Sequence, residues 1–274
     1  MDIPAARLAE SVAELVRIPS VNPLHAGPTS EEHGSDGERA IAEHLANRFD
    51  ELGANKVVLH EVIDGRPNVY GFFPGRTERL VVLDVHTDTV TVEHMTDPPF
   101  DGRIEAGRVW GRGALDTKAS LGVITALLES WQQRGVRPEP TLLVVGSIAE
   151  EAGGLLGATH FRPWADEHDL TIDQLIVAEP TRLAPIHGHK GGAALRITAL
   201  GTSAHSSLPH LGHNAIEAMA PVIIAMQREQ ERLQGLAPTT ELGNGTLSVT
   251  MIDGGTGSNV IPDSCTIVAG RRIM

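Results

Sequence analysis

The sequence predicts an α/β fold, a mostly parallel sheet flanked by helices, followed by a smaller α+β domain. Three observations predict it. The runs LVVLDV (80–85), TLLVVGS (141–147) and LIVAE (175–179) are nearly continuous apolar segments, the pattern of strands buried on both faces. A helical stretch over 117–134 separates the first two, and strand–helix alternation is what parallel pairing requires. After Pro180 the alternation gives way to a turn, a strand, a long helix and two more strands, which divides the chain into 1–184 and 185–274.

The elements follow in order. Ala6, Leu8, Val12, Leu15 and Val16 recur at near-helical spacing and stop before Pro19, so the chain opens on an amphipathic helix. SVNPLHAGPTSEEHGSDG reads as loop. From Glu38, ERAIAEHLANRFDELG forms a second helix that Gly53 ends, and KVVLHEV follows as a strand. Beyond Pro180, a GHKGG turn leads into the strand AALRITALG, a helix over 214–233, and the strands TLSVTMI and CTIVAG. The sequence stops at RRIM, still in a strand pattern, so the fold is expected to be incomplete at its C-terminal end.

Composition narrows the function classes. A length of 274 residues suffices for a buried core, and 22 Lys and Arg against 35 Asp and Glu give a net charge of −13. That charge repels phosphate, which sets nucleic-acid binding aside. The single Cys265 allows no intrachain disulfide, and the first 30 residues carry acidic charges and no apolar core run. A cytoplasmic location is therefore expected. No run approaches the ~18 apolar residues of a membrane span.

Each buried strand ends in a group able to hold a cation: His86 and Asp88 after the first, Glu150 and Glu151 after the second, Glu179 closing the third. Such groups at the edge of a core strand cost several kcal/mol to desolvate unless paired, so five together call for a shared cation. Asp116 follows a turn built on Gly111 and Gly113 and stands at the start of a helix, where it is either an N-cap or a further ligand. One imidazole with several carboxylates suits zinc, cobalt or manganese, and so many anionic oxygens suggest two ions. One carboxylate would then bridge the ions and another would take a proton from water, a division the Glu150–Glu151 pair can make. Asp88 lies on the same side of an extended chain as His86 and can accept a hydrogen bond from its free N–H. The plainer alternatives are a structural His–Asp pair, a solvated acidic pair, and a Glu-Pro that simply ends the sheet. GRGALD lacks the third glycine of a dinucleotide fingerprint and the Lys-Ser/Thr pair of a phosphate loop.

In chain order, RIPSVNP, HTDTV, GRGALDTKA, AEEAGG, AEPT, GTSAHSS and GGTGSNVIPD resemble the dinuclear-zinc amidohydrolase and peptidase family that includes acetylornithine deacetylase, succinyl-diaminopimelate desuccinylase, aminoacylase and glutamate carboxypeptidase. The resemblance implies a zinc-exopeptidase-like catalytic domain with an inserted dimerisation (lid) domain. It implies that His86 and Glu179 hold one metal, Asp116 bridges, Glu151 holds the second, Glu150 is the general base and Asp88 orients His86. His205 would reach the active site of the partner in a homodimer and stabilise the developing oxyanion, while Asn259 and Arg272 would bind the substrate's carboxylate. The implied cofactors are two zinc or cobalt ions. The implied reaction is hydrolysis of the amide bond of an N-acyl amino acid, of acetylornithine deacetylase type. Desuccinylase and dipeptidase or carboxypeptidase activities are the alternatives within the family, and an inactive metal- or peptide-binding relic is the alternative outside it. Two features depart from the family. Members continue for about a hundred residues to a final His that completes the second metal site, beyond the usual size of one domain, and Gly270 stands where an Asp is usual.

Overall fold

A computed structural model describes residues 3–25, 37–238 and 240–274, so the loop reading over 26–36 lies outside the described residues. The chain divides into two compact units, Met1–Leu183 and Ala184–Met274. In the first unit, strands β1 (Lys56–Ile63), β2 (Arg66–Phe73), β3 (Leu80–His86), β6 (Thr141–Ser147) and β7 (Gln174–Val177) form a sheet in the order β1-β2-β6-β3-β7. A short hairpin of β4 (Ile104–Glu105) and β5 (Arg108–Val109) stands apart. The helices are α1 (Ala5–Val16), α2 (Arg39–Glu51), α3 (Lys118–Arg134) and α4 (Leu156–Glu167).

The sheet is mixed. β6, β3 and β7 are parallel, whereas β2 runs antiparallel to both β1 and β6. The antiparallel edge exists because Asp64-Gly65, with Gly65 at φ +77°, turns β1 straight back into β2, the short-range hairpin signal of an Asp-Gly pair.

Strand periodicity distributes side chains between two cores. Val81, Val85, Leu142 and Val144 join Leu15, Ile41, Leu45, Phe49, Leu121 and Leu128 from α1, α2 and α3. Leu80, Val82, Leu143 and Val145 point the other way and meet Tyr70, Phe161 and Trp164, the last two from α4. β7 departs from the expectation of burial on both faces. Leu175, Ile176 and Val177 are 54%, 52% and 56% exposed, because β7 is an edge strand paired only with β3.

In the second unit, β8 (Gly191–Leu200), β9 (Thr246–Gly254) and β10 (Ser264–Ile273) form an antiparallel sheet in the order β8-β10-β9. Helix α5 (Ala215–Gln234) packs on it through Ala215 and Met219 against the buried Cys265 and Ile267. Asn214 caps α5, its Oδ1 accepting from the N–H groups of Ile216 and Glu217 at 3.0 and 3.2 Å. Among the described residues, no helix is long and apolar enough to cross a membrane.

Candidate metal centre

The parallel register fixes where the polar groups emerge. His86 on β3 aligns with Ser147 on β6, and Asp84 aligns with Val177 on β7, so the residues that follow these strands emerge together at their carboxyl ends. His86 itself is buried. Its Nε2 lies 3.1 Å from Asp116 Oδ1 and 3.8 Å from Glu179 Oε1, and its Nδ1 lies 3.0 Å from the Asp88 carbonyl and 3.4 Å from Asp88 Oδ1. The closer acceptor for Nδ1–H is thus the Asp88 backbone, with the carboxylate beside it. A donor bond from Nδ1–H turns Nε2 toward the two carboxylates.

Asp116 belongs to a turn that only glycine permits. Gly111 and Gly113 have φ of +139° and +79°, and a Cβ on Gly111 would collide with Val16 and with the Pro99 carbonyl. The N-cap position of α3 falls to Thr117, whose hydroxyl donates instead to the Ala178 carbonyl at 2.9 Å and ties this turn to the residue before Glu179. Among the described residues Asp116 caps no helix amide, and its Oδ1 faces His86 Nε2. Lys118, fully buried, donates from Nζ to the Ile18 carbonyl at 2.6 Å, and burial pulls its ammonium down to about 7.

One ligand atom each from His86, Asp116 and Glu179 lie within 4.8 Å of one another. Donors bonded tetrahedrally to one zinc at ~2.0–2.2 Å sit roughly 3.3–3.6 Å apart, a range that the 3.1 and 3.8 Å separations from His86 Nε2 bracket, so these three need only a small adjustment to share an ion. Electrostatics favours the same conclusion. Burial first, and then Glu150, Asp116 and Glu151, push the Glu179 carboxyl up against the opposing pull of His86. Burial and then Asp116, Glu150 and Asp88 do the same to Glu151. Burial would lower the His86 imidazolium, but Asp88, Glu179 and Glu150 outweigh it and hold it up at about 9. The nitrogen and oxygen donors suit zinc.

Glu150 is exposed and Glu151 half-buried; with Asp116, Glu151 lines a recess of about 280 Å³ that Arg112 also borders. The Arg112 Nε is shut off from solvent without an acceptor among the described residues. Asp88 is held on every side: Asn22 Nδ2 donates to it at 2.7 Å, and the N–H groups of Glu150 and Glu151 at 3.0 Å each. Burial acts to raise the Asp88 carboxyl, but the bonds from His86, Asn22 and Glu150 prevail and keep it below the usual carboxylate range. Asn22 lies within the RIPSVNP segment, yet nothing in its spacing marks it as a partner of Asp88. Arg112 stands inside GRGALD, yet nothing in the sequence marks it as bordering the recess.

The remaining expected residues lie in the second unit. His205 and Asn259 are brought together on paired loops: His205 bridges to Val260, and Ser206 N–H donates to the Asn259 carbonyl at 2.9 Å. His205 Nδ1 lies 2.8 Å from Ser207 Oγ. Arg272 is not brought to them within the chain. It pairs with Gly192 on β8, whereas the loops begin beyond Leu200, roughly 25 Å farther along the strand at ~3.3 Å per residue.

The model of Peptidase family M28 matches residues 68–214, and that of the Peptidase dimerisation domain matches residues 187–274. A probable carboxypeptidase of Ajellomyces capsulatus is 30% identical over 99% of the chain and 65% of its own length. The acetylornithine deacetylase of Vibrio campbellii is 32% identical over 84% of the chain and 60% of its own length. The chain therefore spans less than two thirds of either relative. Human carnosine dipeptidase 1 shares the fold, with a TM-score of 0.71 at 14% identity over 98% of this chain and 70% of that one. With the model of Peptidase family M28 matched over more than half its length, the chain belongs to the zinc peptidase and amidohydrolase family.

Proposed function

We propose that the protein hydrolyses the amide bond of an N-acyl amino acid with the help of two divalent cations, zinc or cobalt, in the manner of an acetylornithine deacetylase. The observation that carries the reading is the convergence of His86, Asp116 and Glu179 beside the Glu150–Glu151 pair. In this reading His86 and Glu179 would hold one ion and Glu151 the other, with Asp116 serving both. When bound, such cations polarise the scissile carbonyl and acidify water. Glu150 takes the proton of the attacking water and passes it to the leaving amine. Asp88 keeps His86 oriented and, through the amides of Glu150 and Glu151, keeps the acidic pair in place.

The first unit is the catalytic domain in this proposal and the second the dimerisation domain, consistent with the family model matched there. His205 and Asn259 would serve the active site of the partner in a homodimer, His205 by stabilising the developing oxyanion. Asn259 and Arg272 would engage the substrate's carboxylate, and Arg112, a cation that borders the recess, favours an anionic substrate as well. The relative named as a probable carboxypeptidase supports a second reading, in which the acyl group is an amino acid and the substrate a short peptide.

The test is hydrolysis of N-acetyl amino acids and of dipeptides with added zinc or cobalt, comparing the chain with its Glu150→Gln variant. General base catalysis contributes ~10²–10⁴-fold, so a loss of that size at unchanged metal content is expected. Undiminished turnover would remove Glu150 as the base. Metal content reads the stoichiometry: two ions per chain support the dinuclear assignment, and a single ion lost on replacing His86 restricts the centre to His86, Asp116 and Glu179.

A further inference from the structure

Four successive amides at the start of the acidic loop each donate to a side-chain oxygen. Ile148 N–H donates to Asn68 Oδ1 at 3.1 Å, Ala149 N–H to Glu38 Oε1 at 3.2 Å, and Glu150 and Glu151 N–H to the two oxygens of Asp88 at 3.0 Å. Two carbonyls of the same loop are held as well, Glu151 by His25 Nε2 at 3.0 Å and Ala152 by Asn22 Nδ2 at 2.8 Å. Ala149 adopts a left-handed φ of 60°, which turns the chain between the end of β6 and Glu150. The backbone there follows neither helix nor strand and takes its shape from side chains on four other segments.

Glu38 is the least expected member. It immediately precedes α2, is 0% exposed, and grips the Arg66 guanidinium through both oxygens at 2.6 Å while accepting from Ala149. A buried carboxylate requires an opposite charge, and the two-pronged Arg66 supplies it in the geometry that holds most firmly. The device answers a physical need. Glu151 lies in the field of Asp116, Glu150 and Asp88, and Glu179 in that of Glu150, Asp116 and Glu151, so like charges gather here against the one opposing charge of His86 and the loop needs fixing.

We infer that Glu38 and Arg66 form a positioning pair that presets the backbone carrying Glu150 and Glu151 before any cation binds. Its catalytic consequence rests on the hydrolytic reading above; the preset backbone does not.

Hydrogen exchange of the full chain, in chelator and with zinc, tests the inference. The amides of 148–151 are expected to be protected in chelator, with zinc changing their exchange less than about twofold. In Glu38→Ala, exchange at 149–151 in chelator should quicken roughly 10- to 100-fold, the equivalent of one stranded buried donor. The kcat should fall while KM stays nearly constant. Because Glu38→Ala also strands Arg66, the double variant Glu38→Ala/Arg66→Met is the decisive comparison. It should recover thermal stability yet keep the fast exchange and the low kcat, whereas a merely structural pair would recover all three. Native exchange at 149–151 in the double variant, or protection of the wild type only after zinc is added, overturns the inference. Should either variant fail to fold, protection of the wild type only after zinc is added still overturns the inference. A wild type that hydrolyses no acyl substrate refutes the hydrolytic reading and leaves the exchange result to judge the positioning pair.

Discussion

Replacing Asp88 with Asn is the sharpest perturbation of the site that alters no proposed metal ligand. The carboxylate accepts from three N–H donors, Asn22 Nδ2 and the amides of Glu150 and Glu151, and stands beside His86 Nδ1. An Asn side chain offers one acceptor oxygen and an NH₂ group. Whichever way the amide turns, the NH₂ confronts at least one of those donors. One stranded buried donor costs about 1–3 kcal/mol, and the bonds that survive lose the charge assistance that separates ~1.5–3 from ~0.5–1.5 kcal/mol. Together these give a loss of about 3–5 kcal/mol, comparable to breaking a buried pair. Urea unfolding of the chelator-treated protein at pH 7 measures it as a lower midpoint at unchanged slope. The matching control is Asp166→Asn, which removes an exposed partner of Arg162 and should cost ~1 kcal/mol or less. A loss at Asp88 no larger than at Asp166 would refute the picture of Asp88 as the anchor of the acidic loop.

Other predictions test the scaffold. Gly71→Ala places a Cβ 2.5 Å from Phe49 Cδ2 in the fully buried core between β2 and α2, and should cost about 1–3 kcal/mol in urea unfolding; a neutral result would show that Phe49 can move aside. Trp164→Ala removes the ring that packs on Tyr70 at 4.2 Å and His168 at 4.3 Å, and should cost about 3–5 kcal/mol. His60 is held below its ordinary 6.5 by burial first and then by His160 and His168, against Glu167. The unfolded chain therefore takes up this proton first as pH falls. The contribution of neutral His60 is complete above the unfolded value and lost as pH drops through 6.5 toward the lower folded value. Thermal melts should show a decline between pH 7.5 and 5.5 that is shallower in His60→Asn, and an equal decline in both would contradict it.

The elements legible in the sequence were those with one dominant signal. β3, β6 and β7 announce themselves as apolar runs, and His86, Glu150, Glu151 and Glu179 follow directly as polar groups at their ends. The strand β2 was not legible, because RPNVYGFF mixes proline, glycine and a polar residue into a buried segment, although Asp64-Gly65 before it carries a hairpin signal. Helix α4, with Pro163 inside it and no side-chain cap, lacks the usual start and stop markers. The exposure of β7 depends on what stands beside it in the sheet, which its own composition does not encode. Asn22, Glu38, Arg66 and Asn68 stayed hidden for a different reason. Each acts on backbone that lies 80 to 130 residues away or supports a residue that does, and hydrogen bonds to backbone groups leave no residue-type signature at the receiving end.

The central claim is that His86, Asp116 and Glu179 share one cation. Anomalous scattering at the zinc edge, from crystals of the chain grown with zinc, measures this directly. The account predicts a peak bonded at ~2.0–2.2 Å to His86 Nε2 and to an oxygen of both Asp116 and Glu179, lost in His86→Ala. A peak elsewhere, or none at saturating zinc, would contradict it.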